Sequence, residues 1–281
     1  MILAASRNAR PFIKWAGGKQ QLLTQFEPFF PKKFGRYFEP FAGSGAVFFH
    51  LWNQQRLPEQ VFLLDNNEEL VHAYRMVRDR HDELIDCLAV YQASHNRDTY
   101  YKIRNLDRLS VKLGDVERAA RTIYLNRTCY NGLYRVNRKG QFNVPMGRYT
   151  NPHILNRKAL LWAREALQNA NVEVKDFREV VNLAREGDFF YFDPPYYPVS
   201  NTANFTSYTA DSFRDQDQKD LAGVFAQLTE LGCLCMLSNS YTPFIVDLYQ
   251  KFRIEIVYAK RAVNSNASGR GAIKEVVVLN Y

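Results

Sequence analysis

Two short segments combine residue types suited to a reaction on a ring amine. Asp193-Pro194-Pro195-Tyr196 follows directly on the aromatic run Phe189–Phe192. A short apolar run of this kind predicts a buried strand, and two prolines cannot continue it. The Asp193 carboxylate and the Pro194 carbonyl are therefore expected beyond the carboxyl end of a sheet, where open α/β sheets bind ligands. Two oxygens so placed can accept both hydrogens of an exocyclic amine, which draws the nitrogen lone pair out of conjugation and aims it at an electrophile. Tyr196 offers a flat face on which the ring can stack. The second segment is Phe41-Ala42-Gly43-Ser44-Gly45, between a strand and a helix. Gly43 and Gly45 let the backbone approach a ligand closely, and the helix N-terminus favours a negative group. Asp65 ends the next strand, where a carboxylate can accept both ribose hydroxyls of an adenosine-type cofactor. Loop and acid together point to a nucleotide or S-adenosylmethionine pocket; the plainer alternative is a tight turn with a strand-end cap.

The elements that must position these groups follow from periodicity. Residues 22–30 read as helical until Pro31, 36–39 as a strand, 46–55 as a helix, and 60–64 as a strand ending at Asp65. Asn66 is expected to cap a long helix reaching about Val90. Strand, glycine loop, helix, strand, acid and helix form one half of a doubly wound sheet. The alternation then lapses. Residues 99–109 and 116–126 are helical in pattern, 134–137 and 141–144 suggest a hairpin around Arg138-Lys139-Gly140, and 155–170 is helical again. From Val172 the rhythm returns, with strands expected at 172–174, 189–192, 233–238, 254–257 and 275–279 and helices at 179–185, 216–231 and 243–249. The predicted fold is α/β, a Rossmann-like doubly wound sheet interrupted by a helical and hairpin insert. The expected division is 1–92 as the cofactor part of the catalytic domain, 93–170 as the insert, and 171–281 as the part carrying Asp193.

Charge singles out the same insert. The 281 residues hold 37 Lys+Arg against 29 Asp+Glu, a formal net charge of +8. From Arg118 to Arg164 there are ten basic residues and no acid, so the rest of the chain has 27 basic against 29 acidic. A confined basic stripe reads as a surface for a polyanion, most often nucleic acid; the alternative is a solvated face whose acids come from elsewhere in the fold. Hydrophobic content of 46% and charged content of 23% are those of a globular chain, which excludes disordered and fibrous classes. The four cysteines have no metal-ligand spacing, and Cys233 and Cys235 fall on one face of an apolar strand, so buried free thiols and no metal site are expected. Residues 1–10 lack the apolar run of a signal peptide and no stretch has the length of a membrane span, which suggests a soluble, cytoplasmic protein.

Taken in order, the motifs resemble the Dam-type DNA adenine-N6 methyltransferases that act on GATC. The resemblance rests on Lys14-Trp15-Ala16-Gly17-Gly18-Lys19, Glu39-Pro40-Phe41-Ala42-Gly43-Ser44-Gly45, Leu125-Asn126-Arg127 and Tyr130-Asn131-Gly132-Leu133. It continues through Phe142-Asn143-Val144-Pro145, Gly147-Arg148-Tyr149, Asp193-Pro194-Pro195-Tyr196 and Thr202-Ala203-Asn204-Phe205-Thr206, and so covers nearly the whole chain. Cofactor motif, recognition insert and Asp-Pro-Pro-Tyr stand in the order of the α group of amino-methyltransferases. Tyr134, Met146 and the 264–271 stretch depart from the GATC-type pattern.

The resemblance implies S-adenosylmethionine as cofactor, double-stranded DNA as substrate, base flipping and no metal. Trp15, Lys19, Asp65 and Asp193 would contact the cofactor, Phe41 would line its pocket, and Asp176 would reach the adenine edge or else cap a helix. Asp193, Pro194 and Tyr196 would hold the flipped adenine. Arg135 would read a guanine, with Asn131, Leu133 and Pro145 at other bases, Tyr149 wedged into the stack and Lys14 on a base or phosphate. Arg127 and Arg148 would lie against DNA. Residues 200–208 would close over the base, and 264–270 would lie near DNA. A monomer associated with the nucleoid is expected, with or without the endonuclease of a restriction-modification pair. Adenine methylation of DNA at a different short target, methylation of RNA or of cytosine N4, and DNA binding without catalysis are the competing readings.

Overall fold

The computed structural model describes residues 7–109, 112–199, 213–259 and 272–281. Seven strands form one sheet in the order β3-β2-β1-β4-β5-β7-β6. They are β1 Tyr37–Glu39, β2 Val61–Asp65, β3 Ala170–Val174, β4 Phe189–Phe192, β5 Leu234–Ser240, β6 Arg253–Ala259 and β7 Ile273–Leu279. β1 to β5 run parallel, and β7 lies antiparallel between β5 and β6. The order reverses on either side of β1, so the carboxyl ends of β1 and β4 flank a switch point, the usual ligand crevice of such sheets.

Continuous apolar runs make sense because both faces are covered. Tyr37, Leu63, Phe189 and Tyr191 enter the core on one face. Phe38, Leu64, Phe190 and Phe192 enter the core on the other. Phe38 is stacked between Phe62 at 4.4 Å and Phe190 at 4.5 Å, which ties the three central strands by aromatic contact. Cys233 and Cys235 are buried in the same core and carry free thiols.

The first face is covered by α2 (Ala46–Asn53), α3 (Glu68–Asp79), α4 (His81–Ala93), α5 (Arg97–Asn105), α6 (Asp115–Thr128) and α7 (Arg157–Leu167). The short α1 (Leu23–Phe26) lies between two 3-10 turns rather than in one helix over 22–30. Asn67, not Asn66, caps α3, accepting from the Leu70 N–H at 3.0 Å. The long helix expected to reach Val90 breaks at Arg80 (φ −128°), which carries no sequence signal of a break. The break redirects α4 onto α6 and α7. α7 ends at Leu167, because Ala170 already pairs with Val61 in the sheet. The hairpin is less regular than expected, reduced to a bridge between Val136 and Phe142 with Arg135–Asn143 and Asn137–Gln141 backbone bonds beside it.

α8 (Asp215–Glu230) and α9 (Pro243–Leu248) cover the second face with the 3-10 turn Phe177–Leu183, which replaces the helix expected at 179–185. The 93–170 segment shares its core with the first half of the chain: Ile123, Leu125 and Leu160 belong to one apolar cluster with Val47, Phe48 and Leu70. The insert is an interruption of topology, and the hydrophobic core does not divide there.

Candidate active site

The carboxyl ends of β1, β2 and β4 deliver the glycine loop, Asp65 and Asp193 to one edge of the sheet. Gly43 (φ 48°) and Gly45 (φ 67°) adopt the left-handed conformation that side chains disfavour. A Cβ on Gly43 would stand 3.1 Å from the Trp15 ring, so Trp15 lies directly over the loop. Asp65 fastens the loop from beneath. It accepts from the Gly43 N–H at 3.0 Å and from the Asn67 N–H at 2.9 Å. Burial raises the pKa of this carboxyl, and the two backbone donors draw it back. Trp15 stacks on Tyr134 at 5.3 Å, and Phe41 stacks on Phe177 at 5.3 Å.

Asp193 is the centre of a polar cluster. The Lys19 ammonium lies 2.7 Å from Asp193 Oδ1, and the Ser238 hydroxyl donates to the same oxygen at 3.0 Å. Lys19 is only 4% exposed, and its ammonium stands 4.4 Å from the centre of the Tyr196 ring. A carboxylate and an aromatic face thus already hold a cation between them. Burial raises the Asp193 pKa, while Lys19 and Ser238 lower it in part. Deeper in, Glu39 accepts from the Tyr37 hydroxyl at 2.9 Å. Complete burial pushes its carboxyl up to about 8, with Asp193 and Asp65 adding to the shift and Tyr37 opposing it.

The turn after β4 is held rigidly. Gln218 on α8 donates to the Pro195 carbonyl at 3.0 Å, and the Ser240 hydroxyl donates to the Tyr197 carbonyl at 2.7 Å. Asn239 accepts from the Tyr197 N–H at 3.1 Å and donates to Gln218 at 3.0 Å. The Pro194 carbonyl receives no donor from the described residues. The Asp193 carboxylate thus stands at a braced strand end, with the Lys19 ammonium between it and the Tyr196 ring.

The insert presents a second group of residues, organised by the buried Asn126 of α6. Its side chain accepts from the Lys14 N–H at 2.8 Å and donates to the carbonyls of Lys14 at 2.7 Å and Gly132 at 3.0 Å. One amide thus ties the Lys14 segment to the turn at Asn131 (φ 54°) and Gly132. The Lys14 ammonium packs 4.7 Å from the centre of the Tyr149 ring. Leu133 is 41% exposed although apolar, and Pro145 and Arg148 are also exposed. Arg135 donates its Nε–H to the Asn143 side chain at 2.7 Å, which orients the guanidinium.

One expectation needs correction. Arg127 does not lie free for DNA, because its Nε and Nη2 donate to the Phe12 carbonyl at 3.1 and 2.6 Å. Its burial lowers its pKa, and it fastens the N-terminal segment to α6. Asp176 takes the capping place that was one of its two expected roles: it accepts from the Arg178 N–H at 2.8 Å in a capping box with Glu179 and pairs with the Arg178 guanidinium at 3.1 Å. The basic stripe also divides. Arg118 pairs with Glu69 and Arg121 with Asp107, both at 2.7 Å, so acids from outside the stripe neutralise its first part. Arg138, Lys139 and Arg148 are exposed on the hairpin side, and Arg157 and Lys158 on α7. The expectations for residues 200–208, with Thr202-Ala203-Asn204-Phe205-Thr206, and for 264–270 lie outside the described residues.

Sequence reasoning missed several residues that shape the site. Ser238 and Asn239 are polar positions at the end of the apolar run of β5, and Glu275 precedes the aliphatic run Val276, Val277, Val278, Leu279. A polar side chain inside an otherwise buried strand is the signal that finds them. Asn126 is a buried amide amid apolar positions of α6 and carries the same signal.

The sheet order and the loop at β1 define a Rossmann-like methyltransferase fold. Residues 15–263 match the model of the D12 class N6 adenine-specific DNA methyltransferases. The chain is 43% identical over 278 residues to the type II methyltransferase M1.LlaDCHI of Lactococcus lactis subsp. cremoris, covering 98% of this chain and 96% of that protein. It is 40% identical to the type II methyltransferase M.MjaIII of Methanocaldococcus jannaschii, covering 97% and 99% of the two chains. It is 33% identical to the DNA adenine methylase of Escherichia coli strain K12, covering 96% and 95%. The chain belongs to the D12 class N6 adenine-specific DNA methyltransferase family and is an adenine-specific DNA methyltransferase.

Proposed function

We propose that this enzyme transfers a methyl group from S-adenosylmethionine to N6 of an adenine flipped out of duplex DNA, within GATC. The observation that carries the reading is the Asp193 carboxylate and Tyr196 ring fixed together at the end of β4, already holding the Lys19 ammonium between them. A site that accommodates one cation between an anion and an aromatic face suits a sulfonium cofactor and an amine that gains positive charge as it reacts. The cofactor, when bound, supplies an electrophilic methyl on that sulfonium. Trp15 and Phe41 would flank its adenosine, Asp65 would meet its ribose hydroxyls, and Gly43 and Gly45 would allow its close approach.

The target amine lies inside the duplex, so the adenine must leave the stack. Tyr196 would stack the flipped ring. Asp193 and the Pro194 carbonyl would accept the two amine hydrogens and aim the lone pair at the methyl group; as the N–C bond formed the S–CH3 bond would break to leave a neutral thioether, and the nitrogen would lose one proton by way of Asp193 to solvent. Alignment and electrostatic preorganisation then supply the rate. Lys19 must give up part of its contact with Asp193 as the amine arrives. Arg135, with its Nε–H anchored on Asn143, would present its remaining N–H groups to guanine O6 and N7. Leu133, Asn131 and Pro145 would meet neighbouring bases, Tyr149 would fill the gap left in the stack, and Lys14 and Arg148 would neutralise the backbone. The relatives named as type II methyltransferases are in keeping with a restriction-modification setting; a cognate endonuclease would then be a partner, and the enzyme would act as a monomer.

Asp193→Ala tests the reading. Methylation of GATC duplexes should be abolished while DNA affinity stays within a few-fold of wild type. Near-wild-type turnover would remove Asp193 from the chemistry.

A further inference from the structure

Glu275 lies on β7, opposite Ser240 of β5 in the antiparallel ladder. The four residues after it are fully buried aliphatics, so this carboxylate stands at the margin of the core. Its Oε2 accepts the hydroxyl hydrogen of Tyr196 at 2.7 Å. The same ring carries the Lys19 ammonium on its face at 4.4 Å. Tyr196 is therefore held at both ends: its backbone by the braced turn after β4, its phenol oxygen by Glu275. An aromatic side chain anchored only at Cα retains freedom about its two side-chain torsions, and a hydrogen bond at the far end removes most of that freedom. A carboxylate acceptor also pushes electron density into the ring, which strengthens the attraction of its face for positive charge.

We propose that Glu275 is a positioning residue of the methyl transfer: through the Tyr196 hydroxyl it fixes the tilt of the ring on which the adenine stacks, and so the aim of the amine at the methyl carbon. The inference rests on Tyr196 being that stacking platform. Nothing in the proposed role requires Glu275 to touch substrate.

The test combines single-turnover methylation of a GATC duplex with the fluorescence of 2-aminopurine placed at the target adenine. Binding of S-adenosylmethionine and of DNA is measured in parallel as a check on folding. Glu275→Ala should slow the single turnover about 10- to 100-fold, the worth of a charge-assisted hydrogen bond, while both affinities change by no more than about twofold. The 2-aminopurine should become brighter than in the wild-type complex, because it flips without a fixed partner to stack on. Glu275→Gln keeps an oxygen that accepts the Tyr196 hydroxyl but not its charge, and should recover part of the rate. Tyr196→Phe should be slow, and Glu275→Ala combined with it should be no slower than the slower single variant. A wild-type rate in Glu275→Ala, a Gln variant as slow as the Ala variant, or losses that multiply in the double variant would each overturn the proposal. Tyr196→Ala separates the two levels. If it methylates normally, the platform itself is wrong; if it is slow while Glu275→Ala is not, only the role of Glu275 fails.

Discussion

The carboxylates of the site show how position governs chemistry at the scale of single residues. Asp193, Asp65 and Glu39 stand on neighbouring strands, yet each has different company. Asp193 has a lysine and a serine, Asp65 two backbone N–H groups, and Glu39 only a tyrosine hydroxyl and the Phe48 amide. The last is the least compensated, and its pKa of about 8 means that the folded protein keeps a proton that the unfolded chain releases above about pH 4.5. Stability from this group is therefore present at low pH and is lost as pH rises towards 8. Glu39→Gln should raise the Tm at pH 8–9 and leave it nearly unchanged at pH 5. An unchanged Tm difference across that range would place Glu39 in better company than its hydrogen bonds indicate. Arg135 is a second case. In the proposed reading its guanidinium, held through Nε–H on Asn143, meets one guanine, so Arg135→Ala should relax discrimination there by about 1–3 kcal/mol, measured as relative kcat/KM on duplexes altered at single positions.

At the scale of elements, legibility followed local physics. The aromatic run before Asp193 and the two glycines before α2 announce their conformations in the residues themselves, so β4 and the glycine loop lie where the sequence pattern predicts them. The break between α3 and α4 at Arg80 has no glycine or proline; it is imposed by packing against α6 and α7, which no local pattern contains. The same is true of Ala170, helical in pattern but claimed by pairing with Val61. Arg127 misled for a related reason, since a charge count cannot distinguish a guanidinium bonded to the Phe12 carbonyl from one facing solvent. Asn126 is the element-level joint between the Lys14 segment and the turn at Asn131 and Gly132; the motif Leu125-Asn126-Arg127 contains it without revealing that role. Asn126→Ala would leave the Gly132 carbonyl and both polar groups of Lys14 without this partner, costing about 1–3 kcal/mol. DNA affinity should fall while S-adenosylmethionine binding is largely kept; equal loss of both would point to general unfolding instead.

The whole molecule resolves what a net charge of +8 could only suggest. Part of the basic stripe is neutralised by Glu69 and Asp107, Arg127 is structural, Arg135 and Arg164 are half-buried, and Arg138, Lys139, Arg148, Arg157 and Lys158 are exposed. Neutralising Arg138, Lys139 and Arg148 together should weaken DNA binding and lower the slope of log K against log salt by about 1 for each phosphate that no longer meets a cation. Neutralising Arg121 or Arg127 should instead lower the Tm. In the proposed reading the sheet holds the chemistry and the insert meets the duplex; the Lys14–Lys19 segment joins the two through Asn126 on one side and Asp193 on the other. The most direct measurement is the mapping of modified bases in DNA from cells that express this protein. The expected result is N6-methyladenine confined to GATC. N6-methyladenine at a different short sequence would contradict the assignment of the recognition residues, and N4-methylcytosine would contradict the account of the amine held by Asp193 and Pro194.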